Sequence, residues 1–434
     1  MIKWSRRLLT LFLAAMLLCG ALPASAEEEL NLASQAAVLL DAETGAVLYQ
    51  KNMHQVLYPA SITKIMTALL AVQNLQPETV LTVSQTAVNA VPRTSSHISL
   101  KAGERLTVEQ ALYAIGMESA NDAANVLAEA VSGSLEGFAQ LMTETAAQLG
   151  AKNTHFANAN GLPDSSHTTT AYDMALITAA AWKQEGLKKY FSTVTYTLPA
   201  TNLSAARSFN NKDRLLPGGQ YYYDGVEMAK TGWTSSAQGT FAAVVQKGDV
   251  TLVAVTLKSP LLEDKYRDTH RLMDYGFSHY SRVKVTGERV VGSLELGAFT
   301  PAANQKLSYL IPAGESVDDI SFALEPLDWE GEKRERVKVA VYASIGELRL
   351  PDGELTLTQP HKERGEAFIL SELLQGRPVQ MEDLPPAVRT LIVIALIVLL
   401  AVFLLAGLFC MPALAAADDV ADAVEQTWGD ASEQ

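Results

Sequence analysis

The sequence predicts an α/β (α+β) domain with an antiparallel sheet flanked by helices, then a small all-β domain, then a C-terminal transmembrane helix. Three observations carry this. Residues 27–283 place alanine-rich helical patterns between an early β hairpin and a late run of strands. Residues 284–375 hold short runs of Val, Leu, Ile and Tyr broken by Gly, Pro and Asp, the texture of a small β domain. From Thr390 to Ala417 no residue is charged, a run of 28, where a spanning helix needs only ~20 apolar residues.

A chain of 434 residues exceeds one ordinary core. The expected division is 1–26 signal peptide, 27–283 α/β domain, 284–378 β-rich domain, 379–389 linker, 390–414 transmembrane helix and 415–434 acidic tail. Lys3, Arg6 and Arg7 precede the apolar run Leu8 to Leu18, and Ala24-Ser25-Ala26 offers a small-residue cleavage site. This export signal places the body outside the cytoplasm, and the uncharged run near the C-terminus implies a membrane anchor. The net charge of -14 excludes nucleic acid as a partner, since that needs a basic face. Cys19 and Cys410 fall in the two terminal apolar stretches, so the body has no disulfide, thiol nucleophile or cysteine metal site. The histidines show no metal spacing, and no cofactor is expected.

In order, Ala36 to Tyr49 reads as a hairpin turning at Asp41-Ala42-Glu43-Thr44-Gly45. Pro59-Ala60-Ser61-Ile62-Thr63-Lys64 opens an apolar helix through Val72. Val80 to Val83 is a short β run, 101–104 a turn, and Thr107-Val108-Glu109-Gln110 a helix start. Helices follow over 123–128 and 138–149, the last stopped by Gly150. Residues 153–170 and 201–225 read as loops around a helix over 171–182. Val226 to Lys230, Thr240 to Gln246 and Val250 to Leu257 are strands joined by short turns, and Lys265 to Tyr280 is a closing helix.

Three short motifs sit in this frame: Ser61-Ile62-Thr63-Lys64, Ser119-Ala120-Asn121 and Lys230-Thr231-Gly232. A serine at a helix start is ordinarily a cap. A lysine three residues on shares its helix face and can reach the hydroxyl. It serves as a base only if burial or a second cation lowers its pKa, and Lys230 can supply that cation. Ser119 can relay the proton to the leaving amine, and Asn121 can hold Lys64. Thr231 adds a hydroxyl, Gly232 leaves room for a substrate along the strand, and the Ser61 N–H is one oxyanion donor. Each motif alone is weak: Ser281 to Lys284 and Ser208-Phe209-Asn210 match by chance, the former across a helix end and strand start. The serial order of the three is the motif set of β-lactamases and penicillin-binding proteins.

Residues 27 to about 283 resemble the low-molecular-mass penicillin-binding proteins, the serine D-alanyl-D-alanine carboxypeptidases (peptidase family S11). The likeness extends to Leu39-Leu40-Asp41 with Thr44-Gly45, Asn121-Asp122-Ala123-Ala124, Asn153-Thr154-His155-Phe156 with Asn158 and Gly161-Leu162-Pro163, Thr169 to Ala175, and Asp224-Gly225. It implies a DD-peptidase/β-lactamase-like domain that removes the terminal D-alanine from peptidoglycan stem peptides through an acyl-enzyme at Ser61. It also implies β-lactams as covalent inhibitors and the Trp233 N–H as the second oxyanion donor. Ala120, Thr143, Asn160 and Trp233 depart from frequent family residues. For His155, Asn158 and Asp173, loop hydrogen bonds and capping are expected rather than chemistry. A β-lactamase would need an acidic residue to activate the deacylating water, and no glutamate stands in a matching context. A penicillin-acylated receptor would need more than the short tail after Ala417. A structural wall-binding role would need an inert Ser61.

Overall fold

A computed structural model describes residues 30–294, 300–302, 304–330, 336–346 and 348–358. The expected signal peptide, linker, transmembrane helix and acidic tail lie outside the described residues. Within them, no helix is long and apolar enough to cross a membrane.

The described chain divides into two units. The first comprises residues 30–285, 308–321 and 342–351. It opens on the hairpin β1 (Ala36–Asp41) and β2 (Val47–Lys51). A 3-10 turn, Ala60–Thr63, leads into α1 (Lys64–Asn74). There follow β3 (Val80–Thr82), α2 (Gln85–Asn89), β4 (Arg105–Thr107), α3 (Val108–Met117), α4 (Asn121–Ser132) and α5 (Leu135–Gln148). Next come α6 (Ala171–Lys183), α7 (Lys188–Ser192), β5 (Thr195–Leu198) and β6 (Arg207–Asn210). The strands β7 (Val226–Thr234), β8 (Gln238–Lys247) and β9 (Val250–Ser259) precede α8 (Asp264–His279). The later elements are β10 (Tyr280–Thr286), α9 (Gly287–Gly292), β11 (Thr300–Pro301), β12 (Lys306–Pro312), β13 (Ile320–Glu330), β14 (Arg336–Ile345), β15 (Leu348–Arg349) and β16 (Gly353–Thr358).

The main sheet runs β2-β1-β9-β8-β7, antiparallel throughout. Its first strand therefore pairs with its last, from Ala36 opposite Leu257 to Asp41 opposite Leu252. Side chains of a strand alternate between faces, and here both faces are apolar. Val38 and Leu40 enter the larger core, with helices α1, α3, α4 and α6, while Ala37 and Leu39 enter the smaller one under α8. The α8 contact is close: a Cβ on Gly276 would stand 2.5 Å from Leu252 Cδ1 and 2.7 Å from Leu39 Cδ2. Truncating a buried leucine such as Leu39 to alanine costs about 2–5 kcal/mol.

Local signals explain most boundaries. Thr107 and Gln110 form the reciprocal cap that starts α3. Gly150, at φ +87°, lies just past the end of α5. Three expectations change. Residues 207–210, expected as loop, form β6 against β5, because Phe209 buries opposite Tyr196 although only one of its four residues is apolar and buried. The strand expected to end at Lys230 runs on to Thr234, its ladder reaching Gln238, so the whole third motif is strand. The Ser281 to Lys284 match lies wholly within β10, since the helix stops at His279.

In the second unit, Arg336 to Val341 pair with Thr358 to Gly353 in a sheet ordered β11-β16-β14-β13. Val337, Val339, Val341, Leu355 and Leu357 are buried at alternate positions, as a half-covered sheet requires.

Candidate active site

Ser61 lies in the 3-10 turn that feeds α1, and Lys64 is the first residue of that helix. No hydroxyl cap forms at this start. The turn is held instead from three sides. Ala60 sits in the left-handed region at φ +49°, a conformation that costs a non-glycine residue about 1–2 kcal/mol. Gly161 backs it so closely that a Cβ would stand 1.9 Å from the Ala60 carbonyl oxygen. Thr240 Oγ1, on β8, donates to the Pro59 carbonyl at 2.8 Å. His167 completes the clamp. Its Nδ1 accepts the Ala157 N–H at 3.0 Å, so Nε2 carries the proton and donates to Thr63 Oγ1 at 2.8 Å. Thr63 Oγ1 in turn donates to the Ala60 carbonyl at 2.8 Å.

Lys64 is fully buried. Its Nζ lies 3.3 Å from Ser61 Oγ, 2.7 Å from Asn121 Oδ1 and 2.6 Å from the Asn160 carbonyl oxygen. Burial holds its pKa well below the usual lysine range, the charge of Lys230 lowers it further, and Asp122 opposes both. A neutral amine can give its two N–H groups to Asn121 and Asn160 and turn its lone pair to the Ser61 hydroxyl. That is the arrangement a general base needs.

Ser119 occupies the turn between α3 and α4, again at positive φ (+57°), and Asn121 begins α4. The turn is fixed by Asp122, whose carboxylate accepts the N–H groups of Ile98 and Leu100, and by the Asn121 N–H, which donates to the Ser96 carbonyl. Lys230 Nζ donates to Ser119 Oγ at 3.1 Å and to the Thr231 carbonyl at 2.8 Å. Burial lowers its pKa, with Asp213 opposing that shift and Lys265 adding to it.

The strand β7 passes directly over Ser61. A Cβ on Gly232 would stand 2.9 Å from the Ser61 nitrogen and 2.3 Å from Thr240 Oγ1, so this position has no space for a side chain. Lys265, from α8, donates to Thr231 Oγ1 and, at 3.3 Å, to the Gly232 carbonyl. Burial pulls its pKa down to about 8, against the opposing charge of Asp213. Ser61, Ser119, Lys230, Thr231, Gly232 and Trp233 share one cleft of ≈ 320 Å³, while Lys64 and Asn121 lie beneath it. Trp233 stands at the rim, 58% exposed.

The eight residues expected from sequence are thus gathered around one cleft. Sequence reasoning missed Lys265, Asp213, His167 and Thr240. None belongs to a motif: Thr240 and Lys265 reach the site on β8 and α8, and His167 and Asp213 reach it on loops. Gly161 and Asn160 were noted only as part of the likeness; their work is backbone contact. His155, Asn158 and Asp173 make loop bonds, Asp173 accepting from Asn153 N–H and Thr154 Oγ1. Among the described residues, no three His, Cys, Asp or Glu side chains are grouped to hold a metal ion.

Comparison with known proteins agrees with this geometry. A family model described as D-alanyl-D-alanine carboxypeptidase matches residues 23–260. The Bacillus subtilis D-alanyl-D-alanine carboxypeptidase DacF is 32% identical over 337 residues, covering 74% of this chain and 85% of that protein. The Escherichia coli D-alanyl-D-alanine carboxypeptidase DacC is 30% identical, covering 58% of this chain and 62% of that protein. Among solved structures, penicillin binding protein 6B of Escherichia coli shares the fold with a TM-score of 0.60 at 23% identity, covering 77% of this chain and 98% of that one. A Streptomyces DD-transpeptidase matches with a TM-score of 0.53 at 26% identity, over 57% of this chain and 98% of that one. The chain belongs to the D-alanyl-D-alanine carboxypeptidase family, peptidase family S11.

Proposed function

We propose that this cleft performs the family reaction with Ser61 as nucleophile. The chain is a serine D-alanyl-D-alanine carboxypeptidase of the cell wall, a hydrolase that removes the terminal D-alanine from peptidoglycan stem peptides. Neutral Lys64 takes the Ser61 proton as Oγ attacks the carbonyl carbon of the penultimate residue. The oxyanion sits between the N–H groups of Ser61 and Trp233, each such donor being worth ~10²–10³ in rate. Ser119 hands a proton to the leaving amine and regains one through the Lys64 and Lys230 network. Asn121 holds Lys64 and the substrate amide. Lys230, Thr231 and Gly232 receive the substrate along β7, and water then releases the acyl-enzyme.

The observation that carries this reading is the junction of two buried amines with two hydroxyls: Lys64 against Ser61 and Lys230 against Ser119, in one cleft. A β-lactam presents a carbonyl and a carboxylate to the same groups and acylates Ser61. The β-lactamase alternative is disfavoured because the one carboxylate among the described lining residues, Asp213, sits with Lys230 and Lys265 rather than beside Ser61. The deciding assay is D-alanine release from a D-Ala-D-Ala-terminated peptide by the full-length chain. Penicillin turnover without D-alanine release would overturn the assignment.

The export signal and the uncharged run over 390–414 support an extracytoplasmic enzyme anchored in the cell membrane, with residues 1–26 removed. Recovery of the protein in the soluble fraction of cells would refute the anchor.

A further inference from the structure

Asp213 is the one acidic side chain among the described residues lining the cleft, and the mechanism above does not use it. It follows β6 on the loop toward β7 and is 5% exposed. Its N–H donates to Asn211 Oδ1 at 3.0 Å, and its Oδ1 accepts the Leu215 N–H at 3.1 Å. Its Oδ2 is buried and has no hydrogen-bond partner among the described residues. An oxygen in that state costs on the order of 1–3 kcal/mol, so packing gives no reason to keep it.

Its surroundings give one. Lys230 acts on it from β7, Lys265 and Tyr266 from α8, and Arg214 and Lys212 flank it on its own loop. Lys212 already has a carboxylate, Glu118, at 2.7 Å. Lys230 and Lys265 repel each other and are both desolvated, two effects that favour their neutral forms. For each of them Asp213 is the leading charge that works the other way.

We propose that Asp213 is a positioning residue: it keeps Lys230 and Lys265 protonated in the resting cleft and thereby sets the cleft's affinity for the carboxylate end of its substrate. The proposal rests on the carboxypeptidase reading and deepens it. With all three groups ionised, the cluster carries one net positive charge, which an incoming carboxylate neutralises. Burial raises the pKa of Asp213 itself. In acid it is therefore neutral, and the lysines hold their protons without it. Toward alkaline pH its charge is what delays their loss.

The test is the pH profile of full-length Asp213→Asn. Asparagine retains an oxygen for the Leu215 N–H and removes only the charge. At about pH 5, kcat/KM for D-alanine release stays within about twofold of the unsubstituted chain. The alkaline limb moves down by about one pH unit, so that near pH 8–9 the variant is about tenfold weaker, the equivalent of one pKa unit. The loss appears in KM, while kcat is little changed. Asp213→Glu keeps the charge and leaves the alkaline limb within about 0.3 unit of its original place. An unmoved limb in the Asn variant overturns the proposal, as does a loss uniform across pH, which marks a structural role. A fall in kcat with accumulated acyl-enzyme also overturns it, placing Asp213 in deacylation. If the Asn variant does not fold, a Glu limb displaced by a full unit overturns it equally. The same profiles are read from fluorescent penicillin acylation, whose carboxylate probes the same cations. Penicillin labelling with no D-alanine release at any pH therefore refutes the carboxypeptidase reading without deciding the role of Asp213.

Discussion

Two places in the first unit bury charge and treat it in opposite ways. At the turn after β1, Arg282 meets Asp41 through both guanidinium nitrogens, with both side chains fully removed from solvent. Glu43, Ser308 and the Asp249 carbonyl take its other hydrogens. In the cleft, Lys64 is buried as deeply, yet its hydrogen-bond partners are a hydroxyl, an amide and a carbonyl oxygen. A matched pair holds its charge and fastens chain to chain. An amine given only neutral acceptors is free to give up its proton. Burial alone therefore does not mark a reactive group; the kind of partner does.

Substitutions at the two places break or sharpen this contrast. Ser61→Ala removes the attacking oxygen, and both penicillin labelling and D-alanine release fall by at least ~10⁴-fold, with Lys64→Ala close behind. Unchanged labelling in either variant would end the contrast at once. Asp41→Asn leaves Arg282 with only the half-exposed Glu43 as counter-charge and lowers unfolding stability by about 1.5–3 kcal/mol, read by denaturant titration. Its kcat at low temperature stays near that of the unsubstituted chain; a selective loss of kcat with intact stability would mean that the paired site takes part in the chemistry.

His167 offers a third kind of burial, a titratable ring held neutral. Its folded pKa is pushed down to about 4 from 6.5, mainly by desolvation. Between those values the unfolded chain binds a proton that the folded chain does not. Stability is complete above about pH 6.5 and is lost as pH falls toward 4, by up to about 3 kcal/mol. His167→Gln flattens that stretch of the stability curve; an unchanged slope would show that the proton goes elsewhere. Lys230→Ala has the smallest effect of the five. It raises KM by about 10–100-fold, as expected for a charge-assisted hydrogen bond of about 1.5–3 kcal/mol, and leaves residual acylation. In the unsubstituted enzyme, kcat/KM climbs from acid as Lys64 becomes neutral and declines toward alkali as Lys230, at about 7, and then Lys265, at about 8, lose their charges.

The sequence exposes these sites unequally. Ser61, Lys64, Ser119 and Lys230 are legible because each lies in a short motif whose spacing already implies shared geometry. The sheet is legible at β8 and β9, whose continuous apolar runs match a strand buried on both faces. Arg282 is not legible as the partner of Asp41, since 241 positions separate them and no local pattern joins them. Lys265 looks like any helical lysine until α8 packs on the sheet. Asp213 stands in a polar loop where an aspartate is ordinary. The continuation of β7 through Lys230-Thr231-Gly232 runs against the usual reading of glycine as a strand breaker. Here the missing side chain is the space in which Ser61 sits.

The pairing of β1 with β9 also fixes when the enzyme comes into being. Strand β1 must wait for a partner more than two hundred residues downstream, and such distant closures make folding slow. Until β9 and β7 have been made, no lysine stands over the Ser61 turn, and the nascent polypeptide is inert toward both peptide and antibiotic. Termination anywhere before Val226 leaves the nucleophile's helix without its roof. The late arrival of one edge strand thus acts as a timer, delaying acylation until almost all of the catalytic portion has been synthesised.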